Sequence, residues 1–167
     1  LRLFKLLMIL NGKEKIWNFI IFYQNYIRQR SVNALFIDKM TDPNNPCLFC
    51  TIRKKELIFE NELAYASYDT YPVSTHHCLI IPKRHIKDYF ELSDREIVAC
   101  DQLIKKVKKQ IQIKDPTIKG YNIGINSGIV AGQSIMHCHI HLIPRREGDV
   151  DNPQGGVRSV IPSKQHY

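Results

Sequence analysis

At 167 residues the chain suits one domain, large enough to build a hydrophobic core. Its 44% hydrophobic and 24% charged content is ordinary for a soluble globular protein. The net charge of +8 invites a nucleic-acid or membrane reading, but residues 1–39 hold seven Lys/Arg against two Asp/Glu and carry most of it. A nucleic-acid-binding face on the remainder is therefore poorly supported.

The first segment reads differently from the rest. "IWNFIIFYQNYI", residues 16–27, is aromatic-rich and holds the only Trp. It suits a helix lying on the domain or on an anionic membrane surface. It also fits an extension with little functional content, because Met40 opens a sensible start, "MTDPNNPCLFC". Residues 1–40 are thus expected to be an N-terminal extension and 41–167 the domain with its C-terminal tail, with "TDPNNP" as a turn-rich boundary. The opening "LRLFKLLMIL" is too short for the apolar part of a secretory leader. No uncharged apolar run approaches the ~20 residues of a membrane span. Five cysteines are an odd number below the density of a disulfide scaffold. A reducing, cytoplasmic setting is expected, where Cys-x-x-Cys points to metal or redox chemistry.

From Cys47 onward the punctuation is regular. "ELIFENE" and "LAYASYDTY" predict a hairpin that turns near Asn61-Glu62. "HHCLIIPKRH" reads as a third strand ended by Pro82. Residues 92–113 predict the long helix. Ser93 and Glu96 form its capping box, and Ile97, Cys100, Ile104, Val107 and Ile111 form its apolar stripe. Asp115-Pro116 ends it. Residues 121–128 and 134–144 predict two further strands, joined by a glycine-bearing loop, and "NPQGGVRSVIPSKQHY" is a tail rich in turn residues. The fold class expected is α+β, an antiparallel sheet of about five strands with one long helix and one or more short ones.

"SIMHCHIHLIPR", residues 134–145, spaces three histidines by two. In a strand, His137, His139 and His141 would share one face, with Cys138, Ile140 and Leu142 buried on the other. Two chemistries suit such a row, a metal site or a nucleophilic imidazole served by its neighbours. The preceding "NSGIVAGQS" offers backbone N–H groups, an amide and a hydroxyl, which suit a phosphate. Catalysis on a phosphoryl group is the favoured reading.

"GQSIMHCHIHLIPR" resembles the signature of the histidine-triad (HIT) family of nucleotide hydrolases and transferases. "PKRH", residues 82–85, is similar to the family's second landmark, and the likeness extends over residues 47–162. The tail "GDVDNPQGGVR" resembles a microbial branch of dinucleoside-polyphosphate hydrolases. The resemblance implies that His139 is the nucleophile, attacking the α-phosphate of a nucleotide to give a nucleotidyl-histidine that water hydrolyses. It implies that His141 contacts the phosphate and assists the leaving group, and that His137 orients His139, largely through its backbone carbonyl. Gln133 and Ser134 would hydrogen-bond the phosphate or bridging oxygen, Asn126 would reach the phosphate, and Asp69 would bind ribose hydroxyls. Leu48 and Phe49 sit where the family lines its purine pocket. The chain departs from the best-known members in a short stretch between Cys50 and Leu63 and in Ser67, at a position usually apolar.

"CLFC" at 47–50 needs two more ligands to close a tetrahedral site. The resemblance implies a structural zinc held by Cys47, Cys50, His85 and His137. Cys78, Cys100 and Cys138 read as buried apolar residues, and His76 and His77 as surface or packing residues. The expected activity is hydrolysis of a dinucleoside polyphosphate of the diadenosine tetraphosphate type. The alternatives are a nucleoside phosphoramidate of the aminoacyl-AMP type, or a non-catalytic purine-nucleotide-binding module. A small-molecule nucleotide partner, no nucleic acid, no stable membrane insertion and a homodimer complete the expectation.

Overall fold

The computed structural model describes residues 47–51 and 57–166; the expectations for residues 1–40 lie outside the described residues. Strands β1 (Leu57–Glu60) and β2 (Ala64–Tyr68) form the expected hairpin. Asn61 makes its turn, the side-chain oxygen accepting from the Leu63 and Ala64 N–H groups at 3.1 and 2.8 Å. Strand β3 (Cys78–Pro82) follows, then helix α1 (Asp94–Lys114), β4 (Gly120–Ile125) and β5 (Ile140–Arg145). The sheet runs β1-β2-β3-β5-β4, antiparallel throughout, which leaves β4 on an edge.

Helix α1 starts where its chemistry requires. Ser93 accepts from the Glu96 N–H, and the Glu96 carboxylate accepts from the Ser93 N–H, which is the predicted capping box. Arg84 adds a two-pronged pairing to the same carboxylate at 2.7 and 2.8 Å. The buried stripe is Ala99, Cys100, Leu103, Val107 and Ile111; Ile97 and Ile104 are only half-buried, so the stripe is rotated slightly from the expected one. It packs on Ala64, Ala66, Cys78, Ile80, Ile140 and Leu142. At about 1.5–3 kcal/mol for each large aliphatic side chain, this layer dominates the fold's stability. Strand alternation sends Tyr65, Leu79 and Ile81 to the opposite face, where Phe49 covers them.

The last strand is shorter than expected. It begins at Ile140, so only His141 lies within it, and residues 137–139 precede it outside any strand. The reason is a competing partner. The Cys138 N–H donates to the Ile86 carbonyl at 2.6 Å, and Cys138 packs with Ile86 and Leu92, so this stretch is tied to the segment after β3. The three histidines therefore do not form one row on a strand. Likewise β4 ends at Ile125, before the glycine-bearing loop. Among the described residues, no helix is long and apolar enough to cross a membrane.

Candidate active site

His139 is 5% exposed and lies against the edge of Phe49, with ring centroids 5.2 Å apart. Its Nδ1 is 2.8 Å from the His137 carbonyl oxygen. A carbonyl only accepts, so Nδ1 carries the proton and Nε2 keeps its lone pair. Burial holds His139 below the ordinary histidine range, against the opposing pull of that carbonyl. The ring is thus a neutral imidazole with one nitrogen available to attack.

His141 stands beside it, with ring centroids 5.1 Å apart. Its Nδ1 is 2.9 Å from His77 Nε2, and the Val73 N–H donates to His77 Nδ1 at 3.3 Å. Taking the Val73 N–H as the donor to His77 Nδ1 assigns the tautomers in sequence. His77 Nδ1 accepts, His77 Nε2–H donates to His141 Nδ1, and His141 is left with its proton on Nε2. The two active-site rings are therefore complementary, one presenting a lone pair and the other an N–H. Burial, with His139 and His77 nearby, pushes His141 down to about 4. Burial also lowers His77, opposed by Asp69, whose carboxylate oxygen lies 3.4 Å from His77 Nδ1.

His77 is the residue that sequence reasoning assigned to the surface or to packing. It is 3% exposed and joins Asp69 to His141. The antiparallel β2–β3 pairing sets Tyr68 opposite Cys78, so Asp69 and His77 flank that pair, and the β3–β5 pairing brings in His141. A link spanning 64 residues leaves no local pattern to find.

The phosphate-side residues fare unequally. Gln133 is 4% exposed, and its amide is fully engaged with backbone: Oε1 accepts from Gly128 N–H at 2.8 Å, while Nε2 donates to the Lys87 and Ile135 carbonyls at 2.8 and 3.1 Å. Gln133 is thus a clamp on the loop, and its side chain has no donor left for a phosphate. Gly132 lies in the left-handed region (φ 89°), which lets the loop close just before this clamp. Ser134 is exposed next to it. Asn126 follows β4 and its Nδ2 reaches the Gly132 carbonyl at 3.5 Å. Of the two base-pocket candidates, Phe49 is buried against His139, whereas Leu48 is 60% exposed. Ser67 is buried on the same face as Tyr65 and pairs with Leu79.

Cys47, Cys50, His85 and His137 come together, with one donor atom of each within 4.8 Å of the others. Cys47 and Cys50 lie 3.4 and 3.5 Å from His137 Nδ1, and Cys50 lies 3.3 Å from His85 Nδ1. Tetrahedral zinc with ordinary Zn–S and Zn–N bonds puts its sulfur and nitrogen ligands ~3.5 Å apart, so the spacing fits. His137 is fully buried and its Nε2–H donates to the Pro82 carbonyl at 2.9 Å, which leaves the Nδ1 lone pair facing both sulfurs. The side chain of His137 thus serves this cluster while its carbonyl serves His139. Cys78, Cys100 and Cys138 are buried, as their sequence context predicts.

Comparison with known proteins places this geometry. Residues 51–148, more than half of the chain, match the model of the HIT domain. An uncharacterized HIT-like protein of Methanocaldococcus jannaschii is 41% identical over 108 residues, 62% of this chain and 81% of the relative. An adenosine 5'-monophosphoramidase of Saccharomyces cerevisiae is 32% identical over 124 residues, 70% of this chain and 75% of the relative. Among solved structures, a zinc-bound histidine triad family protein from Mycobacterium smegmatis superposes with a TM-score of 0.57 at 26% identity, covering 71% of this chain and 92% of that one. A buried imidazole with its free nitrogen beside a second imidazole, on a five-stranded antiparallel sheet matched over this length, shows that the chain belongs to the histidine-triad (HIT) family.

Proposed function

We propose that this HIT-family hydrolase cleaves a phosphorus–nitrogen bond at the α-phosphate of a nucleoside 5'-phosphoramidate. The single observation that carries the reading is the tautomer set by the His139 Nδ1 bond to the His137 carbonyl, which frees Nε2 to attack. In the first step the His139 Nε2 lone pair forms a bond to the α-phosphorus and the phosphorus–nitrogen bond breaks. The departing amine takes the proton from His141 Nε2, which His77 backs through its own N–H. In the second step water attacks the nucleotidyl-histidine as its proton passes to His141 Nε2, the phosphorus–nitrogen bond to His139 breaks, and the nucleoside monophosphate leaves with both imidazoles restored. Ser134 and Asn126 border the phosphate position and Asp69 suits ribose hydroxyls, while Gln133 holds the loop. Zinc on Cys47, Cys50, His85 and His137 would pin the 47–50 loop and fix His137.

The likeness to a monophosphoramidase favours the amidate over the dinucleoside polyphosphate first expected from the tail. So do the charges, since the arginines that follow His141 are engaged, Arg145 with Asp149 and Arg146 with Asp115. A polyphosphate leaving group carries several negative charges and gains most from unpaired cations. Comparing kcat/KM for AMP amidates and diadenosine tetraphosphate tests the reading. Amidates are expected to lead by at least tenfold, and His139→Ala is expected to abolish turnover while retaining AMP binding. A clear preference for the tetraphosphate would overturn it. Assembly as a homodimer through the β4 edge, checked by sedimentation, and a cytoplasmic location suited to free cysteines complete the proposal.

A further inference from the structure

The turn that leads into β3 holds its backbone in an unusual place. His76 has a φ of 69°, and among the described residues no other non-glycine has a positive φ. A residue with a bulky side chain is strained in that region and stays there only where its surroundings hold it. The next residue is His77, so this turn aims the ring that bonds His141. What holds the turn therefore bears on the proton of His141.

Two bonds hold it from within: the His77 N–H donates to the Ser74 carbonyl at 3.0 Å, and the Cys78 thiol donates to the His76 carbonyl at 3.1 Å. Two more tie it to the segment that bears His141. The Ser74 hydroxyl donates to the carbonyl of Pro144, a residue of β5. Arg146, which directly follows β5, donates from Nη2 to the Thr75 carbonyl at 3.3 Å. The same guanidinium is anchored on its other side, because Nη2 pairs with the Asp115 carboxylate and Nε donates to the Thr117 hydroxyl at 3.2 Å. The Asp115 carboxylate is itself held by the Thr117 N–H at 3.0 Å. With its side chain only 23% exposed, Arg146 is an enclosed bracket between the end of α1 and the strained turn, unlike a free surface ion pair.

We infer that Arg146 and Ser74 are positioning residues for the reaction. They hold the strained turn so that His77 Nε2–H meets His141 Nδ1, which keeps the His141 proton on Nε2. That this proton goes to a departing amine rests on the phosphoramidate reading; the placement of the rings does not. Both residues act through His77. Because the ties start from the segment that carries His141, the two rings are set against one common frame, and a small shift of the turn changes their separation directly. Proton transfer is sensitive to such a shift, since the donor must stay within hydrogen-bond reach in one orientation.

The imidazole nitrogen resonances of His141, read by NMR on the full chain, test the assignment together with kcat on an AMP amidate. The wild type is expected to show a bare Nδ1 and a protonated Nε2. Arg146→Gln and Ser74→Ala are expected to move both nitrogens toward an averaged mixture of tautomers and to lower kcat about threefold to tenfold, with KM changed less than about twofold. Ser74→Thr keeps the hydroxyl and is expected to restore both readouts. Ser74→Ala removes one oxygen from a part-buried residue, so it carries the test if Arg146→Gln does not fold. In a His77→Gln chain neither substitution should lower kcat further, because the ring they place is gone. His141 resonances or kcat that stay at wild type in both variants overturn the positioning role, as does a loss of kcat that adds in full to that of His77→Gln. Resonances that move as expected in a chain that turns over no amidate would uphold the positioning and overturn the proposed reaction.

Discussion

Replacing Gln133 by alanine separates two roles that the side chain could play. In the structure it makes three hydrogen bonds to backbone, at 2.8, 2.8 and 3.1 Å, from a position 4% exposed. At about 1 kcal/mol net for each bond, the loss approaches ~3 kcal/mol, somewhat less where water reaches the freed Lys87 and Ile135 carbonyls. For a domain of this size that corresponds to a fall in Tm of roughly 10 °C. Gln133→Glu keeps an acceptor for the Gly128 N–H but sets a carboxylate against two carbonyls, so it should cost at least as much. Urea unfolding followed by the far-ultraviolet signal measures the stability, and kcat/KM on an AMP amidate measures the function. The clamp predicts that both fall together. An alanine variant within ~1 kcal/mol of wild type that loses a hundredfold in kcat/KM would refute it, because only a direct phosphate contact gives that pattern.

Glu96→Gln is expected to cost about 2 kcal/mol at pH 7, because it weakens both the capping box and the Arg84 pairing, with some discount for the half-exposed arginine. Arg84 holds the Glu96 carboxyl down at about 2 from an ordinary 4.5, so its contribution is present above pH 4.5 and fades toward pH 2. Denaturant titrations of wild type and variant should therefore converge across that window. Elemental analysis of protein purified without chelator is expected to find about one zinc per chain, and Cys47→Ser with Cys50→Ser to remove it and lower turnover by at least about tenfold. His77→Gln should lower kcat about tenfold to a hundredfold because it loses tautomer control of His141, with a smaller rise in KM through the loss of its contact with Asp69.

Most of the fold was legible because its signals are local. Asn61 at a turn, the Ser93–Glu96 capping box and the spacing of Cys100, Val107 and Ile111 each act within a few residues. The Cys47, Cys50, His85 and His137 cluster was legible through family likeness, and the structure brings all four together. What escaped is set by pairings distant in sequence. The strand containing His141 starts late because Cys138 pairs with Ile86, a partner that period-two alternation cannot reveal. His77 escaped because its significance comes from strand register, and Gln133 because the Lys87 carbonyl it holds belongs to another segment. Leu48 shows the opposite failure, an apolar residue whose neighbour Phe49 is buried while it stays exposed.

The central claim is that His139 forms a covalent nucleotidyl intermediate. The stereochemical course at the α-phosphorus tests it directly, using a chiral AMP phosphoramidothioate hydrolysed in isotopically labelled water. Two successive in-line displacements, the first by His139 and the second by water, predict retention of configuration. Inversion would mean a single direct attack by water and would contradict the account.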